Sequence, residues 1–185
     1  MNRILVLIHI GMLLISCNSS NKQEAKTVFS YNSENGITSL DPAFASSQDN
    51  IWAVNQLFNG LVQLDQDLLP KPNIAKSWKI DSTGKIYTFT LRDDVYFHKS
   101  KCFDDASRLV TSTDFVYSFN RIIDPLTASP GAWIFNDIIA PNGFEAIDDT
   151  TFQITILRPF APFLSMLSMP YCCVVPKEGI DFYQK

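Results

Sequence analysis

The strongest constraint on the fold is a stretch that tolerates only one buried face. In residues 85–92 the apolar side chains Tyr87, Phe89 and Leu91 alternate with Thr88, Thr90 and Arg92. A period of two marks a strand with one dry face and one wet face. Slipping its register by one residue would turn every aromatic ring toward water. Residues 77–80 precede it across Asp81-Ser82-Thr83-Gly84, a turn-forming run, so the two segments read as a hairpin. Residues 144–147 and 152–157, around Asp148-Asp149-Thr150, read as a second.

Helical spacing fills other stretches. From Asp49, Ile51, Val54, Leu57 and Phe58 fall on one helical face, and Gly60 is expected to stop that helix. Phe115, Phe119 and Ile122 form a second stripe. Thr111 is placed to cap it, Asp114 to sit at its positive end, and Asp124-Pro125 to end it. Strands are expected at 28–33, 61–64 and 171–175, with a short helix at 159–169. Ser39-Leu40-Asp41-Pro42 reads as an extended corner, Pro70 and Pro72 as punctuation of an extended link, and residues 99–109 as a charged loop. Val95 and Phe97 extend the apolar pattern before that loop. Hairpins mixed with helices predict a mixed α and β fold. Hydrophobic content of 46% with 14 Phe suffices for a packed core. Residues 180–185 carry no stop signal, so the chain is expected to end in mid-fold.

The first residues set the compartment. Arg3 precedes an apolar run, residues 4–15, too short to span a bilayer comfortably as a helix. It has no polar face, unlike a core helix. A basic start, an apolar core and a small residue before the cut describe a secretory signal over residues 1–16. Leu14-Ile15-Ser16-Cys17 resembles the lipobox of bacterial lipoproteins. That resemblance implies that Cys17 becomes the first mature residue and carries the lipid; the plainer alternative is an ordinary signal with an incidental cysteine. Residues 17–27 then read as a lipidated polar tether.

Removing residues 1–16 takes away one basic residue of 15 and none of the 19 acidic ones, so the net charge moves from −4 to −5. That balance gives no footprint for nucleic acid. Cys102, Cys172 and Cys173 remain, an odd number with no CxxC. Adjacent cysteines in an extended run point to opposite faces, which suits no shared metal. A disulfide from Cys102 to one of the pair stays open; plain buried thiols are the expectation. No metal site and no cofactor are expected.

Catalysis finds little support. His98 is the only histidine after the signal and sits at a strand end with no nucleophile motif. There is no GxSxG, P-loop or GxGxxG. Asp104-Asp105 and Asp148-Asp149 read as solvated turns rather than a carboxylate dyad. Trp52, Trp78 and Tyr117 are expected in the core. Trp133 is the exception, because it follows a loop, 125–132, with two prolines and a glycine.

Six segments in order carry a more specific signal. They are Ser39-Leu40-Asp41-Pro42-Ala43, then Leu57 to Val62 (LFNGLV) and Pro72 to Trp78 (PNIAKSW). Tyr87 to His98 (YTFTLRDDVYFH), Thr113 to Arg121 (TDFVYSFNR), and Pro162-Phe163-Leu164 with Val175-Pro176-Lys177 complete the series. Together they resemble the extracellular solute-binding protein family 5, the oligopeptide-, dipeptide- and nickel-binding group. The resemblance implies a two-lobed periplasmic-binding-protein type II fold that closes by hinge motion. It also implies that this chain holds residues 28–56 as the start of lobe one, 57–173 as an inserted mixed α/β domain, and 174–185 as a truncated return to lobe one.

The implied function is the solute-binding component of an ABC importer. Such a protein captures a peptide or other small solute outside the cytoplasmic membrane and delivers it to permease subunits. It is expected to be a monomer, lipid-anchored on the periplasmic or extracellular side of the cell envelope, and not an enzyme. The stretch 43–48 corresponds to a cleft-lining segment, so Ser46 and Gln48 are candidate ligand contacts. Two departures stand out. Residues 99–113, with Cys102, replace a shorter loop of the relatives. Asp124 to Pro130 matches a segment that oligopeptide binders follow with an aromatic against the peptide, whereas here Gly131 follows and Trp133 is the substitute. Dipeptides, oligopeptides, nickel complexes and other small solutes all remain open. The alternatives from other classes are a surface lipoprotein hydrolase acting on peptides or glycans, and a structural or adhesive lipoprotein.

Overall fold

In a computed structural model, residues 30, 32 and 36–183 are described. The expected signal, Cys17 and the tether lie outside them. So does the expected strand at 28–33, apart from Ser30 and Asn32, which carry no strand. Residues Ser33–Lys185 form one compact unit.

The elements run in chain order as α1 (Gln48–Leu57), β1 (Val62–Leu64), β2 (Pro70–Pro72), β3 (Ala75–Ile80), β4 (Ile86–Leu91), β5 (Tyr96–Ser100) and β6 (Ala106–Leu109). They continue as α2 (Ser112–Ile123), β7 (Ile139–Asp148), β8 (Thr151–Ile156), α3 (Phe163–Met166) and α4 (Lys177–Tyr183), with short 3-10 turns between. An antiparallel sheet in the order β3-β4-β8-β7 is the backbone of the unit.

The two sequence-read hairpins are the two halves of this sheet. Between β3 and β4 the Asp81 carboxylate accepts from Thr83 N–H and Oγ1, Lys85 N–H and Ile86 N–H. Those bonds, the Thr83 hydroxyl's above all, hold its pKa well below the usual carboxylate range. Gly84 turns the chain at φ +70, a conformation that favours glycine. Phe89 stands opposite Phe152 and Tyr87 opposite Ile154, so the alternating apolar residues of β4 and β8 share one face.

Helix α2 packs on β7 and β8. Its Asp114 carboxylate accepts from Thr111 N–H at 2.8 Å, so the expected helix start is present. Phe115, Phe119 and Ile122 are buried. Phe119 packs edge-on against Phe115, Phe144 and Phe152 at 5.4–5.9 Å, and lies 5.0 Å from Phe135. Geometries of this kind add to the burial of the rings.

Four expectations are corrected. Residues 99–109 are not a plain loop, because β5 and β6 pair as a ribbon. Its turn places Asp104 and Asp105 in the left-handed region at φ 52 and 61. The Arg108 guanidinium lies 5.0 Å from the Phe97 ring and 5.3 Å from Phe103, and bonds the Asp114 carboxylate through both nitrogens. Two stacked rings with a cation beside them, rather than an apolar stripe, mark the ribbon, which is why periodicity missed it. Residues 171–175 are not a strand. Pro170 opens a 3-10 turn, Pro170–Cys172, and only Cys173 forms a bridge, to Gly60. Gly60 does not stop α1 either, since the helix ends in extended Phe58. The helix expected at 159–169 shrinks to the four residues of α3. The proline-bounded link at 70–72 is extended as expected, but it pairs with β1.

Cys172 and Cys173 are buried free thiols, and Cys102 is a half-buried one. Burial raises the Cys173 thiol to about 12 and the Cys172 thiol well above its ordinary 9.0.

Two outcomes follow from this packing. Phe119→Ala should destabilise the protein by about 3–5 kcal/mol in urea titration, as the core cannot collapse around a lost central ring. The thiols give a pH signature. Both have folded pKa values above their unfolded ones, so their contribution is full below pH 9 and is lost as pH rises toward 12. The denaturation midpoint should fall across that window, and less so in a Cys172→Ala, Cys173→Ala double variant.

Candidate functional site

The site is assembled around the corner at Asp41-Pro42. Thr38 N–H and Ser39 N–H donate to the Asn50 side-chain oxygen at 3.0 and 3.3 Å, and Asn50 Nδ2 donates to Thr38 Oγ1 at 3.0 Å. Asn50 is buried, so these bonds fix the entering chain to α1. Asp41 is extended, as a residue before proline must be, and caps a 3-10 turn, Pro42–Phe44, by accepting from Ala43 N–H at 3.0 Å.

The same carboxylate receives a fork from α2. Arg121 Nη1 donates to Oδ1 at 2.8 Å and Nη2 to Oδ2 at 2.5 Å. The two side chains are only 9% and 15% exposed. Two-point pairing between planar groups fixes direction as well as distance. The Phe44 ring lies 5.9 Å from the guanidinium carbon. Arg121 therefore joins the end of α2 to a corner 80 residues earlier in the chain.

The loop after α2 closes on the same corner. The Asp124 carboxylate accepts from Leu126 N–H, and its carbonyl from Thr127 and Ala128 N–H. Ser129 is buried and donates to the Ala43 carbonyl at 2.6 Å. Gly131 has no room for a side chain, because a Cβ would stand 2.5 Å from the Tyr171 ring. This accounts for a glycine at the position where the resemblance implies an aromatic. Two residues on, Trp133 is 53% exposed while its neighbours Ile134 and Phe135 are fully buried. The indole is thus held out to solvent on an anchored turn.

Of the candidate ligand contacts, Ser46 and Gln48 are exposed, one just past the capped turn and the other opening α1. The Ser129 bond ties the Trp133 loop to the segment that leads into both. The core expectation fails for Trp52, which is 47% exposed, and holds better for Trp78, which packs on the core. His98 is exposed on β5 and lines a mostly apolar cavity of about 390 Å³ with Phe58, Val95 and Phe103. Tyr183 and Ser100 hydroxyls lie 3.0 Å apart at its edge. The acidic pairs Asp104-Asp105 and Asp148-Asp149 are exposed turns.

Sequence reading overlooked a cavity of about 450 Å³ lined by Tyr117, Asn120, Arg121, Asp124 and Thr127 with Ile180. The signal was present: Tyr117, Asn120, Arg121 and Asp124 recur at helical spacing on the face opposite Phe115 and Phe119. Lys177, paired with Asp181, stands 6.0 Å from the Tyr117 ring, and burial pushes the Tyr117 phenol up. Among the described residues there is no cluster of three metal-ligating side chains, and no helix is long and apolar enough to cross a membrane.

A corner, an antiparallel sheet and a helix bracing both make up part of the type II periplasmic-binding-protein fold, and solved proteins of that class share it. The periplasmic binding protein DppA of Helicobacter pylori, solved with the peptide STSA, matches with a TM-score of 0.69 at 32% identity, over 80% of this chain and 30% of that one. An oligopeptide ABC transporter substrate-binding domain from Bacillus anthracis matches with a TM-score of 0.72 at 26% identity, over 85% and 32%. The chain belongs to the bacterial extracellular solute-binding proteins, family 5, whose middle-region model matches residues 70–184. The periplasmic oligopeptide-binding protein OppA of Salmonella typhimurium is 33% identical over 164 residues, 81% of this chain and 29% of OppA. The chain thus spans less than a third of that relative's length.

Arg121→Ala would remove the two-point pair from the mostly buried Asp41 carboxylate. It should cost about 3 kcal/mol in a denaturant titration, whereas Arg121→Lys, which keeps the charge but not the fork, should cost less.

Proposed function

We propose that this chain belongs to the solute-binding component of an ABC importer, one that captures peptides or similar small solutes outside the cytoplasmic membrane and hands them to the permease. The supporting observation is its membership of family 5, with a peptide-bound relative alike over 80% of the chain. In this reading residues 28–56 begin lobe one, 57–173 form the inserted domain, and 174–185 return to lobe one. Cys17 carries the lipid that holds the protein, a monomer, at the envelope surface. Ser46 and Gln48 pair with backbone groups of an extended solute, and Trp133 lies against it. Binding excludes water between lobes, with no bond made or broken, so the protein is a carrier and not a hydrolase.

Thermal denaturation of the full-length protein from Asn18 onward, against a library of di- to pentapeptides, tests the proposal. One peptide class should raise the melting temperature with no peptide consumed. A ligand at 100 times its Kd adds about 2.7 kcal/mol. Trp133→Ala should reduce the shift. Cleavage of the peptide would reverse the reading in favour of a hydrolase, and no shift with any member would remove peptides as the ligand.

A further inference from the structure

We infer that Ser129 is a positioning residue that couples the loop carrying Trp133 to the corner leading into Ser46 and Gln48, so that both walls of the solute site move as one and ligand affinity depends on the joint. The inference rests on the solute site proposed above.

The Ser129 hydroxyl works in both directions. It donates its single proton to the Ala43 carbonyl at 2.6 Å and accepts from Gly131 N–H at 3.1 Å. Ala43 is held at its other end too, since its N–H donates to Asp41 Oδ1, the oxygen that also receives Arg121 Nη1. The result is an unbroken run of bonds, Gly131–Ser129–Ala43–Asp41–Arg121. It joins the loop, the corner and α2 across 86 residues of sequence.

Packing alone does not explain a hydroxyl here. Ser129 is 7% exposed and Ala43 2%, and a buried polar group is unfavourable unless its bonds are made. An alanine would fill nearly the same space without that requirement. The backbone just before Ser129 also departs from the ordinary, with Ala128 in the left-handed region at φ 50. Such a conformation persists where its surroundings over-determine it, and here Asp124 holds Ala128 N–H while Ser129 grips the corner. Downstream the loop is pinned by Gly131 against Tyr171 and by buried Ile134. Trp133 therefore has little freedom of its own. Its direct hydrogen-bonded link to the Ser46 side of the site is the Ser129 hydroxyl on the Ala43 carbonyl.

The test uses the full-length protein as wild type, Ser129→Ala and Ser129→Thr. Amide hydrogen exchange is followed by mass spectrometry over residues 42–48 and 129–135 without ligand, and binding of a mixed-sequence tetrapeptide pool is titrated alongside. Ser129→Ala should raise exchange in both windows together and weaken apparent affinity about tenfold, the worth of one buried hydrogen bond, while Ser129→Thr, which keeps the hydroxyl, restores both. Exchange rising in the 129–135 window alone, unchanged affinity in Ser129→Ala, or equal impairment in Ser129→Thr would overturn the inference. If the wild type binds no member of the pool, the proposed solute fails. The exchange comparison then still decides the coupling, with a joint rise supporting it and a confined rise overturning it.

Discussion

The pairing of β4 with β8 is the contact on which the described fold depends. It sets Phe89 opposite Phe152 and Tyr87 opposite Ile154, and so builds one continuous apolar face from two hairpins far apart in sequence. Helix α2 meets that face through Phe115 and Phe119, with Phe115 stacked on Phe152 at 5.6 Å. A slip of one residue in either strand would bury threonines and expose rings, so the register is fixed by the chemistry of both. Everything nearer the candidate site hangs from this helix. Asp114 at its start holds the β5–β6 ribbon through Arg108, Ser118 in its middle receives Val175 N–H, and Arg121 at its end holds the corner.

The two faces of α2 are used differently. The apolar face gains from burial in proportion to area and tolerates rearrangement among rings of similar size. The polar face works through forks with defined direction. Arg108 to Asp114 and Arg121 to Asp41 are both two-point contacts, each partly shielded from water. Pairs of this kind add modest net stability, because removing both ions from water offsets much of their attraction. What they supply is geometry. Arg121 holds the corner at one angle through Asp41, and Ser129 holds the Trp133 loop to the same corner through the Ala43 carbonyl. Polar groups of α2 and of the loop after it thereby set how the corner and the Trp133 loop meet.

Much of this was legible beforehand. The alternation in β4 and β8 and the stripe in α2 each announced a buried face, and local turn chemistry at Asp81 to Gly84 and Asp124-Pro125 marked their ends. The ordered motifs from Ser39 to Lys177 placed the chain in its family, and the fold agrees with it. The errors share a cause. The ribbon at β5 and β6 carries two stacked rings with the Arg108 cation beside them, and nothing in local periodicity marks it. The apolar run at 171–175 looked like a strand but finds a single bridge partner, so it bends into a turn behind Pro170. Trp52 was expected in the core but lies off the stripe of Ile51, Val54 and Phe58, and it is 47% exposed. Residue type alone does not say how far the rest of the fold covers a side chain.

The sequence by itself determined the strand faces, the helix caps, the extended corner before Pro42 and the family, because these follow from periodicity, backbone restriction and ordered motifs within short windows. It also named Trp133, Ser46 and Gln48 as residues to watch. Only the tertiary structure decided how their segments meet. That Ala43 is gripped by Asp41 on one side and Ser129 on the other, and that Gly131 must be bare to admit the Tyr171 ring, depends on contacts across 86 and 40 residues. Hydrogen bonds and close approaches at that separation leave no periodic trace in a chain; they exist once the core has brought the partners together.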